Sequence, residues 1–176
     1  PDGFQPLNAA NTRPETVISR PDQYVGIVTY KGTGTTPQSI RGLNFDAKPD
    51  LVWFKNRGGA FTHLIFDRVR GEKKYLSSNT NSAQGTDNNS LTAFITDGFT
   101  VGYTNASNQL NADIVAWCWK AGGNKNTFNV DDVGYASAAA AGLTGGSITP
   151  TGASVGTKQG FSIIQYTGTL TGTPGS

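Results

Sequence analysis

The chain has no Met, one Cys, one His and two Glu among its 176 residues, and each scarcity removes a class of function. A lone Cys118 excludes an intrachain disulfide framework, and one Cys with one His cannot complete a structural zinc site. Any Ser-His-Asp or Cys-His mechanism would have to run through His63, and no Gly-x-Ser-x-Gly elbow accompanies it. Cys118 stands between two Trp in an apolar run, where a thiol is inert. Paired-carboxylate hydrolysis has little to draw on. Glu15 lies in a Pro-rich opening and Glu72 in a turn, while Asp46, Asp50, Asp87 and Asp97 occupy turn positions. Charged residues make up 15% of the chain, against about 25% in typical soluble domains. The net charge of +2 comes without a basic stripe, which argues against a nucleic-acid partner. Arg68, Arg70, Lys73 and Lys74 are the densest cationic patch, but Asp67 and Glu72 interleave them, and the group reads as a solvated turn. No run of about 18 apolar residues exists, so no membrane-spanning helix is expected, and the opening lacks signal-peptide architecture. With Pro1 first and no Met, the chain is expected to be a processed or trimmed piece of a longer product.

What is abundant points to β structure. Twenty-three Gly, eight Pro and many Thr, Ser and Asn imply frequent turns between short strands. Three Trp, nine Phe and six Tyr supply material for one core. Residues 1–22 read as a connector from a preceding domain, because Pro1, Pro6, Pro14 and Pro21 disfavour a ladder. Residues 23–159 read as one β-rich module. Within it Tyr24–Tyr30, Leu51–Lys55, Phe61–Phe66 and Ile114–Trp119 are rich in β formers. In Leu51–Lys55 and in Ile114–Trp119 both alternate sets are apolar, which predicts strands buried on both faces and assigns Trp53, Trp117 and Trp119 to the core. Leu91–Thr96, Asp97-Gly98 and Phe99–Tyr103 predict a hairpin with a type I′ turn. Asn79–Ser90 is a long polar loop, with Tyr75 and Tyr103 beside polar loops as exposed aromatics. Asp131-Asp132 before Val133–Ala141, closed by Gly142, predicts one short helix.

One segment repeats. Phe161-Ser-Ile-Ile-Gln-Tyr166-Thr-Gly168-Thr echoes Val25-Gly-Ile-Val-Thr-Tyr30-Lys-Gly32-Thr at an offset of 136 residues. That spacing fits one module, so residues 160–176 are expected to start a second similar one, truncated here.

No cofactor, metal or catalytic residue follows from these patterns, and no binding residue is fixed by them. Asp87-Asn88-Asn89 lacks the spacing of a calcium loop, and Gly152–Lys158 lacks that of a phosphate loop.

Four strings are familiar in order: Pro49-Asp-Leu-Val-Trp-Phe-Lys-Asn-Arg57, Leu64-Ile-Phe-Asp-Arg-Val-Arg-Gly71, Thr96-Asp-Gly-Phe99 and Val115-Ala-Trp-Cys-Trp-Lys-Ala-Gly-Gly123. With them the chain resembles a module of large virion proteins of tailed bacteriophages, cyanobacterial ones among them, often in tail fibres. The resemblance covers about residues 24–160. It implies a lectin- or jelly-roll-like sandwich, which agrees with the strand pattern: all-β, antiparallel, with long polar loops and at most one short helix. It also implies a virion location, a homotrimer, contacts with neighbouring virion proteins, and host-surface glycan as a partner. The expected role is structural and adhesive, not enzymatic. Capsid decoration, fibre attachment and a polysaccharide depolymerase are the alternatives.

Overall fold

The computed structural model describes residues 18–169. Strands β1 to β4 are Val25–Lys31, Gln38–Arg41, Leu51–Asn56 and Leu64–Asp67. Strands β5 to β9 are Lys74–Ser77, Gly85–Thr86, Leu91–Ile95, Gly98–Val101 and Asp113–Trp119. Strands β10 to β13 are Phe128–Val130, Val133–Tyr135, Gly152–Gly156 and Phe161–Gln165. The fold is an all-β sandwich. One sheet has the order β1-β9-β3-β4-β5-β6, and a smaller one, β2-β8-β7, faces it. A third, β11-β10-β12-β13, continues from the end of β9 and contains one parallel pair, β10 with β12.

The core follows from alternation along the strands. Val52, Phe54, Phe66, Ala116 and Cys118 turn inward from the large sheet, and Ile40, Leu91, Phe94, Phe99 and Val101 meet them from the small one. Leu43 and Phe45 plug the end between β2 and β3. The Phe54 ring lies 5.1 Å from Phe99 and 6.0 Å from Phe66, edge to face in each case. Tyr30 reaches the same cluster, with its hydroxyl donating to Ser107 O at 2.7 Å. Burying each such side chain contributes about 1.5–3 kcal/mol. A small second cluster, Phe128, Ala138 and Ala153 with Leu143 and Val155, supports the third sheet.

Four expectations need correction. Strands β3 and β9 are not buried on both faces: Val52 and Phe54 are sealed, but Leu51, Trp53, Trp117 and Trp119 lie half-covered on the outer face. Asp131 and Asp132 do not start a helix. Both have positive φ, 47° and 66°, and form the two-residue type I′ turn between the paired Val130 and Val133. Only one helical turn follows, with Gly142 at φ 72° and the Leu143 amide closing on Ala138 O, a Schellman ending without a helix before it. The Asp97-Gly98 turn is not type I′ either, because Asp97 alone is left-handed (φ 62°) and Gly98 is already in β8. Gly98 is required by contact: a Cβ there would sit 1.9 Å from Ile40 O across the ladder. Finally, Tyr75 is half-buried against Phe66 and the core, and β6 within the 79–90 loop pairs back onto its strand.

The connector expected over residues 1–22 lies outside the described residues up to 17, and Pro21–Gln23 form a single 3-10 turn. The expected start of a second module is outside them from residue 170. Its described part contains β13, which pairs antiparallel with β12.

Candidate functional site

Three of the four strings converge on one buried carboxylate. Asp50 precedes β3 and is wholly enclosed. Its Oδ1 accepts from Arg68 Nη1 at 2.8 Å, and its Oδ2 accepts from the amides of Ala121 at 2.7 Å and Gly123 at 3.1 Å. The Lys120 ammonium also reaches Oδ2, at 3.1 Å, and then spans to Asp132 Oδ1 at 2.8 Å. Beside this group Arg70 pairs with Asp67 and donates to Ile65 O. The Lys-Ala-Gly-Gly stretch turns sharply because its amides wrap the carboxylate. Gly122 lets β12 pass close by, since a Cβ there would lie 2.2 Å from Val155 O. Ser154 Oγ completes the joint by donating to Gly123 O at 2.7 Å. Each of these charges is neutralised in place. The cluster is a clamp between the large and third sheets.

The second feature is an apolar stripe on the outer face of the large sheet. Trp53 and Trp117 contact at 5.2 Å between ring centroids, tilted by 42°. Trp119 stacks on Phe161 of β13 at 5.9 Å. Between β13 and this face runs a groove of about 340 Å³, bounded by Leu51, Ile65, Leu76, Ile163 and Tyr166. A shallower one of about 180 Å³ lies over Trp53 and Trp119. Ile27, 64% exposed, and Val25, 50% exposed, extend the stripe along β1.

Residues 20–175 match the family described as Domain of unknown function (DUF7483). The chain belongs to this family. No curated protein and no solved structure matches it. The DUF7483 match spans the clamp, the stripe and β13 together.

Sequence reasoning missed the clamp in this DUF7483 chain. It placed Asp50 in an ordinary turn, Lys120 at a strand stop, and Arg68 with Arg70 in a solvated patch; the arginines are in fact drawn into ion pairs. The readable signal was a charge set directly against an apolar strand at three places, Asp50 before β3, Asp67-Arg68 at the end of β4 and Lys120 after β9. Their convergence needed the ladder register that puts Leu51 opposite both Asp67 and Trp119.

The reactive side chains of the DUF7483 chain are dispersed. His63 sits just before β4, and its amide donates to Asn79 Oδ1 at 2.9 Å. Among the described residues no three His, Cys, Asp or Glu gather as a metal would need. Asp131 is spent on Thr157, accepting from its amide and its hydroxyl. Tyr103 is exposed beside the polar turn at Asn105, as its sequence context predicted. Cys118 faces the core, and burial pushes its thiol far above the usual range. Native protein at pH 8 is therefore expected to resist iodoacetamide on the time scale that labels urea-unfolded chain completely. Rapid labelling of the native chain would mean that β9 opens locally.

Proposed function

We propose that the chain is a structural and adhesion module of a bacteriophage virion appendage, a tail fibre, with host-surface glycan as its outer partner. The observation that carries this reading is what the family-like strings do. Their charged residues make a buried joint between sheets, the use expected of a part that bears load. The loops that reach solvent are polar and turn-rich, with the exposed Tyr103 beside one of them for recognition. Repetition on a trimeric fibre would let weak sites act together. The resemblance supplies the virion context, and an all-β sandwich suits it.

The test is immunogold labelling of intact particles with an antibody against residues 24–160. Label along the tail fibres is the expected result. Label over the head would replace the fibre with a capsid-decoration role, and unlabelled particles would remove the virion reading.

A further inference from the structure

We infer that β13 is a strand shared by two units: it ends this one and supplies the β1 of a further copy following in the same polypeptide. The echo of Val25–Thr33 in Phe161–Thr169 sets the equivalence, with Ile27 matching Ile163, Tyr30 matching Tyr166 and Gly32 matching Gly168. Structure adds three complementarities that the echo alone does not require.

The first is in the backbone. Among the described residues both strands are sheet edges. Tyr24 O accepts from Lys120 N and Gly32 N donates to Ala112 O, so even-numbered residues of β1 point to β9 and odd ones to the open edge. In β12, Ala153 N and Val155 O bond toward β10, which leaves Gly152, Ser154 and Gly156 to pair with Gln165, Ile163 and Phe161. Odd residues of β13 are therefore used and even ones point to the open edge. At the 136-residue offset, the open half of β13 is the half that β1 uses, and the open half of β1 is the half that β13 uses. One strand can satisfy both neighbours at once.

The side chains divide in the same way. Phe161 stacks on Trp119, whereas its equivalent Val25 and the neighbouring Ile27 are largely bare. Val28 and Tyr30 pack on the core, whereas their equivalents Ile164 and Tyr166 remain 44% and 61% exposed. Each face is covered in one setting and open in the other.

Glycine supplies the third. Gly32 is obligatory, because a Cβ there would lie 2.0 Å from Gln109 O. Among the described residues no atom lies near the Cβ position of Gly168, and its φ is not positive, so nothing described in this unit calls for glycine. It matches what a following Asn108-Gln109 turn would demand. In such a chain the third sheet of one unit and the large sheet of the next become one continuous sheet, and Phe161 locks the two through Trp119.

This inference does not depend on the virion reading and is tested separately. The first experiment writes β13 into β1 of the full chain with Val25→Phe, Gly26→Ser, Val28→Ile and Thr29→Gln. A Cβ at Gly26 meets the side chains of Leu43 and Phe45 at 3.1 and 3.2 Å, which can give way, and Leu43 O at 3.4 Å, an ordinary contact distance. The grafted chain is expected to fold and to melt within about 5 °C of the parent. The second experiment joins residues 1–166 directly to residues 31–176, so that Tyr166 takes the place of Tyr30. Hydrogen exchange should protect β9 equally in both copies. Ile164→Asp with Tyr166→Asp should abolish protection in the second copy alone, while leaving the melting of the single chain unchanged. A graft that does not fold, a fusion that does not fold, or a second copy that stays unprotected overturns the shared strand. So does association of the parent chain through β1 and β13, which would make the partner a separate molecule.

Discussion

Asp50→Ala is expected to lose about 4 kcal/mol of stability, the scale set by breaking a buried ion pair from one side. Lys120 would remain enclosed with Asp132 as its one carboxylate and Ala121 O beside it, Arg68 would lose its carboxylate, and two buried amides, Ala121 and Gly123, would have no acceptor. For a domain of this size that corresponds to a melting point lower by roughly 8–16 °C. Asp50→Asn should cost nearly as much, because it removes the charge and turns an amide NH₂ toward groups that donate. Thermal melts and urea titrations of both variants measure it. An Asn variant as stable as the parent would show that shape, not charge, holds the sheets together. Replacing the network as a whole, with Asp50→Leu, Arg68→Met and Lys120→Met, should recover part of the loss. The unsatisfied amides would keep it below the parent.

Phe54→Ala is expected to cost about 3–5 kcal/mol, the range for removing a sealed aromatic ring from a core that cannot collapse around the gap. Phe54 is fully enclosed; its edge-to-face contact with Phe99 joins the two sheets of the sandwich, and that with Phe66 ties it to its own sheet. Ile27→Ala makes the contrast. It is also apolar and in a strand of the same sheet, but it faces outward, and its removal should stay within about 0.5 kcal/mol. Urea unfolding of the two variants separates them, and equal losses would mean that the outer stripe is a second core.

Strand positions were legible wherever β-branched and aromatic residues gathered between Gly- and Asn-rich turns, as at β1, β3 and β9. The two sides of a strand were not. Leu51–Lys55 carries large apolar groups on both, and composition cannot say which side meets the second sheet. Asp-Asp and Asp-Gly were legible as chain reversals or helix starts, but the choice among them was made elsewhere. Asp131-Asp132 became a tight turn because β10 and β11 pair through Val130 and Val133. Asp97 became a clamp because its carboxylate reaches the amides of Gly42 and Phe45.

The sequence by itself determined an all-β chain, the places of β1, β3, β7, β8 and β9, the scarcity of reactive groups and the echo between β1 and β13, because each depends on local propensity or on counting. Tertiary structure alone decided that Asp50, Arg68 and Lys120 share one buried site, that the Trp residues lie on an outer stripe, and that β1 and β13 leave complementary edges open. These depend on which strands become neighbours and in what register. A ladder fixes both over separations of 50 residues or more, as between Asp50 and Lys120, where pattern along the chain carries no signal.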